Sequence, residues 1–360
     1  MLHTSPPRLL PLLLHHRRHI AAASPPSMTS SPNSLILVLA AKSTAEIELA
    51  KLVKDTNAIT LADNDDDKEI AVKLYSELRE EEKVVVSFDL GRYLSSIGTD
   101  RFGRFLVWSP GLNSTQDVVS KNFGVIPVGS VCVADVQFKG RGRSKNVWDS
   151  LEGCLMFSFT IQMEDGRMVP LVQYVVSLAM TETIKDVCHK NGLPILDVRI
   201  KWPNDLYMNG LKIGGILCTS TYSSGKFNIC AGIGLNLDNR YPTTCLNAAL
   251  QELTSTSCFL QREDIMCYFF NKFEKFFDLF IVQGFQPLDD LYCKTWLHSG
   301  QRVIVADGSE GQSVDNVVTI QGLTSSGYLL AIGEGGQMFE LHPDGNSLDF
   351  FKGLVRRKLE

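Results

Sequence analysis

Beyond residue 34 the apolar positions fall into two recurring patterns, short runs of strand length and longer stretches at helical spacing, and their order predicts the architecture. Leu35 to Ala40 is a continuous apolar run. Thr44 to Lys54 follows with Ile47, Leu49, Leu52 and Val53 at helical spacing. A second helix is read over Lys68 to Arg79, ahead of strand-like Val84, Val85, Val86 and Phe88. Residues 34–105 therefore predict a small α/β unit.

From about Phe105 the texture changes to apolar strands with glycine punctuation, including Val131 to Phe138, Cys154 to Met163 and Val198 to Met208. Between them, Met168 to Lys190 carries a helical pattern, with Gly192 placed to stop it. Asn209-Gly210 predicts a type I′ hairpin turn. A long helix over Arg262 to Val282 presents Ile265, Phe269, Phe273, Phe276 and Phe280 on one side, a stripe that reads as core. From Gly300 onward, short strands alternate with Gly-rich turns at Val303 to Ala306, Val317 to Gln321, Tyr328 to Ile332 and Gln337 to Leu341. The predicted fold class is α+β: a mixed β-sheet with helices over 106–297, preceded by the α/β unit and followed by a small SH3-like β-barrel over 298–360.

The first 33 residues do not join this pattern. The first 45 residues contain Arg8, Arg17, Arg18 and Lys42 but no acidic residue, and are rich in Ser, Pro, Leu and Ala, the composition of a transit peptide. The apolar run Leu9 to Leu14 is broken by Pro11 and is too short to span a membrane. This predicts import into chloroplast or mitochondrion, with Met28 as a start for an unimported cytosolic form.

A formal net charge of −5 with 21% charged residues predicts no nucleic-acid face and no membrane partner. Nine cysteines stand singly, with no CxxC, and the histidines are scattered, so reduced thiols are expected and no zinc site. The acidic run Asn64 to Asp67 reads as a solvated loop.

Four blocks carry candidate chemistry. In Gly140-Arg141-Gly142-Arg143, glycine permits close backbone approach and the guanidinium groups match phosphate or carboxylate; alone it is either an anion-binding loop or a basic surface loop. Lys201, between Ile200 and Trp202 in Lys-Trp-Pro-Asn-Asp-Leu, leaves water only with a partner for its charge: an anionic ligand, or a carboxylate such as Asp205. Lys212 with Gly215-Ile216-Leu217, and Gly232 to Asn236, are glycine-marked strands that on their own signal only close packing.

The order and spacing of Ser114-Thr115-Gln116, Gln137, Gly140 to Arg143, Trp148, Lys201 to Leu206, Lys212 to Leu217 and Gly232 to Asn236 resembles the biotin–protein ligase family from about residue 110 to 240. The resemblance implies a class II synthetase-like catalytic domain. It also implies a biotin site at Ser114, Thr115, Gln116, Gln137, Arg141, Gly142, Arg143, Lys201 and Gly215, with Gly140, Trp148, Asn204, Lys212 and Asn236 toward the adenylate. Lys201, Arg143 and Arg141 would be the catalytic cations. The substrates implied are biotin and ATP, with Mg²⁺ held through the phosphates and no direct protein ligand, and the partner is the biotin carboxyl-carrier domain of a carboxylase. The Gly-Arg loop is expected to be mobile without ligand.

Two departures stand out. Bacterial members often have Asn where Gln116 stands, and Phe138-Lys139 precede the glycine-arginine loop here. Members that double as repressors carry a helix-turn-helix domain, whereas residues 34–105 read as strand–helix–strand without a basic recognition helix. A lipoate ligase shares the fold and an adenylation step but not these blocks, and a regulator that only binds biotin would not need both Arg143 and Lys201.

Overall fold

The structure, a computed structural model, describes residues 34–61, 69–239, 241, 243–254, 259–307, 314–342, 346–349 and 354–357. The expected leader, Met28, the Asn64–Asp67 loop and Cys258 lie outside these residues.

The N-terminal part contains β1 (Ser34–Ala41), α1 (Thr44–Asp55), β2 (Glu69–Leu74), α2 (Glu80–Val85) and α3 (Leu90–Ser96). Ser43 caps α1 in a capping box with Glu46, which satisfies two of the helix's unpaired donors. Two expectations are corrected here. The helix read over Lys68 to Arg79 is β2 followed by a short 3-10 turn at Tyr75–Glu77. Ile70, Val72 and Leu74 alternate, and parallel pairing with β1 buries Leu74 and half-buries Ile70 and Val72 against the sheet's own core, so tertiary context overrides the helical spacing. The segment read as a strand at Val84 to Val86 is mostly α2, whose first turn carries Glu80, Glu81 and Glu82 where negative charge favours a helix start.

The chain continues through β3 (Phe105–Leu112), α4 (Thr115–Lys121), β4 (Val131–Gln137), β5 (Cys154–Met163), α5 (Val172–Lys190), β6 (Val198–Lys201), β7 (Asp205–Met208), β8 (Leu211–Ser223) and β9 (Lys226–Asn236). The single strand expected over Val198 to Met208 is a hairpin instead, because Pro203 cannot donate to a ladder and the chain reverses at 202–204 to pair Lys201 with Asp205. Asn209 (φ 51) and Gly210 (φ 77) make the expected turn into β8.

Nine strands form one sheet in the order β2-β1-β3-β4-β5-β9-β8-β7-β6. The boundary expected at residue 105 is thus not a break in the sheet. β1 is apolar on both faces, with Leu37 and Val38 fully buried, and leaves water only when inserted between β2 and β3.

The helices that follow are α6 (Leu246–Leu253), α7 (Arg262–Gln283) and α8 (Gln286–Thr295). Helices α5 and α7 cover one face of the sheet. Phe269, Phe273 and Phe280 of the expected stripe are buried there with Phe270 and Phe277, and Phe276 lies at its margin. Phe159 of β5 meets Phe273 edge-to-face at 5.0 Å. Each such ring contributes roughly 1.5–3 kcal/mol by leaving water. The opposite face is covered by α1 and α4 around Cys132, Ala134 and Cys230.

The C-terminal unit is a six-stranded sheet in the order β13-β12-β11-β10-β15-β14. It comprises β10 (Arg302–Asp307), β11 (Val314–Leu323), β12 (Leu329–Gly333), β13 (Met338–Leu341), β14 (Asn346–Asp349) and β15 (Leu354–Arg357). The first four match the expected strands.

Candidate active site

Strand alternation places Gly232 and Gly234 on the same face of β9 as Cys230, and Ser158 of β5 lies directly opposite Gly232. Because these positions carry little or no side chain, a cavity of about 420 Å³ opens above them. Its lining includes Ser114, Thr115, Gln116, Gln137, Arg141, Gly142, Arg143, Trp148, Lys201, Asn204, Lys212 and Gly215. The glycines are required sterically. A Cβ on Gly232 would lie 2.5 Å from Gln116 Oε1, and one on Gly234 would lie 2.5 Å from Cε2 of the Trp148 indole.

On the α4 side the polar groups are tied together. Gln137 Oε1 accepts from the Thr115 backbone N–H at 2.7 Å and its hydroxyl at 3.0 Å, while Gln137 Nε2 donates to Ser150 Oγ at 3.1 Å. Thr115 Oγ1 lies 2.8 Å from Ser158 Oγ. Gln116 Nε2 donates to Thr219 Oγ1 and to the Cys230 carbonyl, both at 3.0 Å. Its Oε1 is buried without a hydrogen-bond partner, as is Trp148 Nε1. Such groups carry a desolvation cost until a ligand donor or acceptor meets them.

The other side is cationic. The Gly-Arg loop closes on itself through Trp148 N–H to the Gly140 carbonyl (3.0 Å) and Gly142 N–H to the Asn146 carbonyl (2.8 Å). Arg143 Nη1 donates to Asn204 Oδ1 at 3.1 Å, and Asn204 Nδ2 in turn donates to the Ile216 carbonyl at 2.6 Å. Arg141 Nη2 lies 3.0 Å from Asp117 Oδ1 on α4.

Val198 and Ile200 are buried, so alternation turns Lys201 to the cavity face. The carboxylate considered as its partner is engaged elsewhere: Asp205 Oδ1 lies 2.7 Å from Lys212 Nζ. Among the described residues Lys201 forms no ion pair with a carboxylate; its ammonium stands 5.7 Å from the Tyr207 ring centroid. Lys212 Nζ is also 5.7 Å from the Trp148 ring centroid.

Two expected residues stand outside the lining. Gly140 acts through the loop's own hydrogen bonds, and Asn236 Nδ2 donates to Thr243 Oγ1 and the Thr244 carbonyl. Sequence reasoning missed Ser158 and Asp117, and weighed Asp205 as a partner of Lys201 where it pairs with Lys212. Ser158 had a signal, a polar residue within the apolar β5 run. Cys154 and Cys218 are unfit as nucleophiles: burial pushes their thiols up to about 11 and about 12.

The profile described as the Biotin/lipoate A/B protein ligase family matches residues 108–236, and the Biotin protein ligase C terminal domain matches residues 298–353. The chain is 63% identical to Biotin--protein ligase 1, chloroplastic, of Arabidopsis thaliana over 334 residues, covering 91% of this chain and 89% of that one. It is 62% identical to Biotin--protein ligase 2 of the same organism, covering 91% and 98%. Among solved structures, a biotin protein ligase from Aquifex aeolicus in complex with biotin and ATP is similar with a TM-score of 0.50 and 26% identity, covering 66% of this chain and 94% of that one. The chain belongs to the biotin–protein ligase family.

Proposed function

We propose that the chain joins biotin to a lysine of a carrier protein in two steps within this one cavity. A biotin carboxylate oxygen attacks the α-phosphorus of ATP, forming biotinyl-5′-AMP and releasing pyrophosphate. The neutral lysine amine of the carrier then attacks the acyl carbon, the acyl–oxygen bond breaks, and AMP leaves as the amide forms.

The first step brings two anions together, and their repulsion is its main obstacle. The observation that carries the assignment is Lys201: an ammonium facing the cavity that Arg143 also lines, with no ion pair to a carboxylate among the described residues. Its point charge can bridge carboxylate and α-phosphate oxygens and follow the charge through the displacement. Arg141 and Arg143 lie on the Gly-Arg loop, which would order over the mixed anhydride and keep water away from it. Biotin's ureido ring would lie toward Ser114, Thr115, Gln116 and Ser158, where Gln116 Oε1 awaits a donor. The adenine would lie toward Trp148 and Lys212, which share a cation–π contact. Mg²⁺ would arrive with the ATP phosphates as part of the substrate, where it supplies charge neutralisation.

The acceptor in this reading is the biotin-carrier domain of a biotin-dependent carboxylase. Its place of action is the chloroplast, on the basis of the basic, acid-free N-terminal composition and the name of the Arabidopsis relative; mitochondrial import and a cytosolic form from Met28 extend that proposal. The test is transfer of labelled biotin to a carrier domain with ATP and Mg²⁺, comparing wild type with Lys201→Ala and Arg143→Ala. Labelled carrier from the wild type and large losses in both variants support the assignment. No transfer to several carriers despite tight biotin binding would leave only a biotin-binding regulator.

A further inference from the structure

Lys201 ends β6, the outermost strand on its side of the sheet, where half of the backbone groups have no neighbouring strand. A charge needed to within an ångström therefore sits on an element with one free side. That side is not left open. Trp296 forms a parallel bridge with Ile200, and the Leu297 N–H donates to the Ile200 carbonyl at 2.9 Å. The next residue, His298, is fully buried and begins the region matched by the C-terminal domain profile.

Both N–H groups of Trp202, adjacent to Lys201, are engaged, one by His298 of this second unit and one by Tyr174 of α5. Its backbone N–H donates to His298 Nε2 at 2.9 Å. Nε2 is thus the unprotonated nitrogen, and Nδ1, 2.9 Å from Gln301 Oε1, carries the proton. Burial, with Lys201's charge adding to it, pushes His298 down to about 4, which keeps Nε2 available as an acceptor at neutral pH. The indole Nε1 of Trp202 donates at 3.0 Å to the Tyr174 hydroxyl on α5, and that hydroxyl donates at 2.5 Å to the Gly327 carbonyl in the β11–β12 turn. This turn is packed tightly: a Cβ on Gly327 would lie 2.9 Å from Tyr174 Cε2. Trp202 itself is 3% exposed.

We propose that His298 is a positioning residue for the adenylation step, and that through His298 and the Gly327–Tyr174 relay the C-terminal β-domain clamps Trp202 and so fixes Lys201 at the reacting oxygens. The proposal rests on the role given above to Lys201. Its consequence is a division of labour: the C-terminal domain governs the rate of adenylate formation while biotin affinity is set on the α4 side of the cavity. A displaced catalytic charge lowers turnover by about a hundredfold per ångström, whereas binding on the far wall is unaffected.

The experiment uses the full chain and measures biotin-dependent pyrophosphate release together with biotin Kd. His298→Leu removes the acceptor at similar volume, and His298→Gln can return an oxygen near the Nε2 position. Tyr174→Phe deletes the single oxygen of the relay. The expected result is a kcat loss of about tenfold to a hundredfold in His298→Leu with Kd within roughly threefold, recovery in His298→Gln, and a loss in the same direction in Tyr174→Phe. The proposal is overturned if His298→Leu turns over like wild type, if its kcat and Kd worsen together, or if His298→Gln recovers nothing. Should His298→Leu not fold, Tyr174→Phe decides, and unchanged kcat there overturns the clamp. Lys201→Ala run alongside separates the two ideas, since wild-type turnover by that variant would remove the Lys201 role itself.

Discussion

On the α4 side of the cavity, Thr115, Gln137 and Ser158 hydrogen-bond to one another and Gln116 is anchored through its amide nitrogen, so the wall is neutral and fixed before any ligand enters. On the loop and β6 side the lining is cationic: Arg141 reaches Asp117, Arg143 reaches Asn204, and Lys201 forms no ion pair with a carboxylate among the described residues. The first arrangement suits recognition of a neutral ring by shape and matched donors. The second gathers three cations on one side of the cavity, which suits stabilisation of negative charge that builds during reaction.

Substitutions on the two sides should therefore separate affinity from rate. Lys201→Ala is expected to lower kcat for pyrophosphate release by on the order of 10³-fold while biotin Kd changes little, read by rapid-quench turnover and calorimetry. Arg143→Ala should lower kcat by about a hundredfold and let biotinyl-AMP escape to hydrolysis, seen as adenylate in the medium under single-turnover conditions. On the neutral side the pattern should invert: Gln116→Leu removes the waiting acceptor and is expected to weaken biotin binding by roughly 2 kcal/mol, about thirtyfold in Kd, at near-normal kcat. A loss confined to kcat in that variant would erase the distinction between the walls.

The last expected effect concerns pH and is read in stability rather than in turnover or affinity. His298 takes up a proton at about 6.5 when unfolded and only at about 4 when folded. The unfolded chain thus binds more protons in that window, and stability falls as pH drops from about 6.5 to about 4, by at most about 3 kcal/mol. Urea midpoints across this window should fall less steeply for His298→Gln, which lacks the titrating group.

What could be read from sequence followed the kind of force involved. The cavity residues were legible because close approach restricts residue type: Gly232 and Gly234 leave no room for a Cβ, and cations flanking an anion site are either Arg or Lys. The Asn209-Gly210 turn and α7 were legible because local backbone preference and a long apolar stripe agree. β2 was not, since Ile70 to Leu74 fits either period and only pairing with β1 decides it. The reversal at 202–204 carried its own signal in Pro203-Asn204, which the reading of Val198 to Met208 as one strand passed over, and the merging of β1 and β2 into the large sheet depends on partners far along the chain. His298 gave no signal at all, because a lone histidine says nothing until its neighbours are placed.

The ladder joining β5 to β9 beneath the cavity has a consequence for how the protein comes into being. Gln116 bonds to a carbonyl 114 residues away, and Thr115 to a hydroxyl 43 residues away. Contacts this distant require closing long loops before any of them is rewarded, so they form slowly and together. On the ribosome no fragment that lacks β9 contains a usable cavity, and the ability to hold biotin arrives only once the sheet has closed through β9. Biotin retention is therefore a census of molecules whose large sheet has closed rather than of chains made.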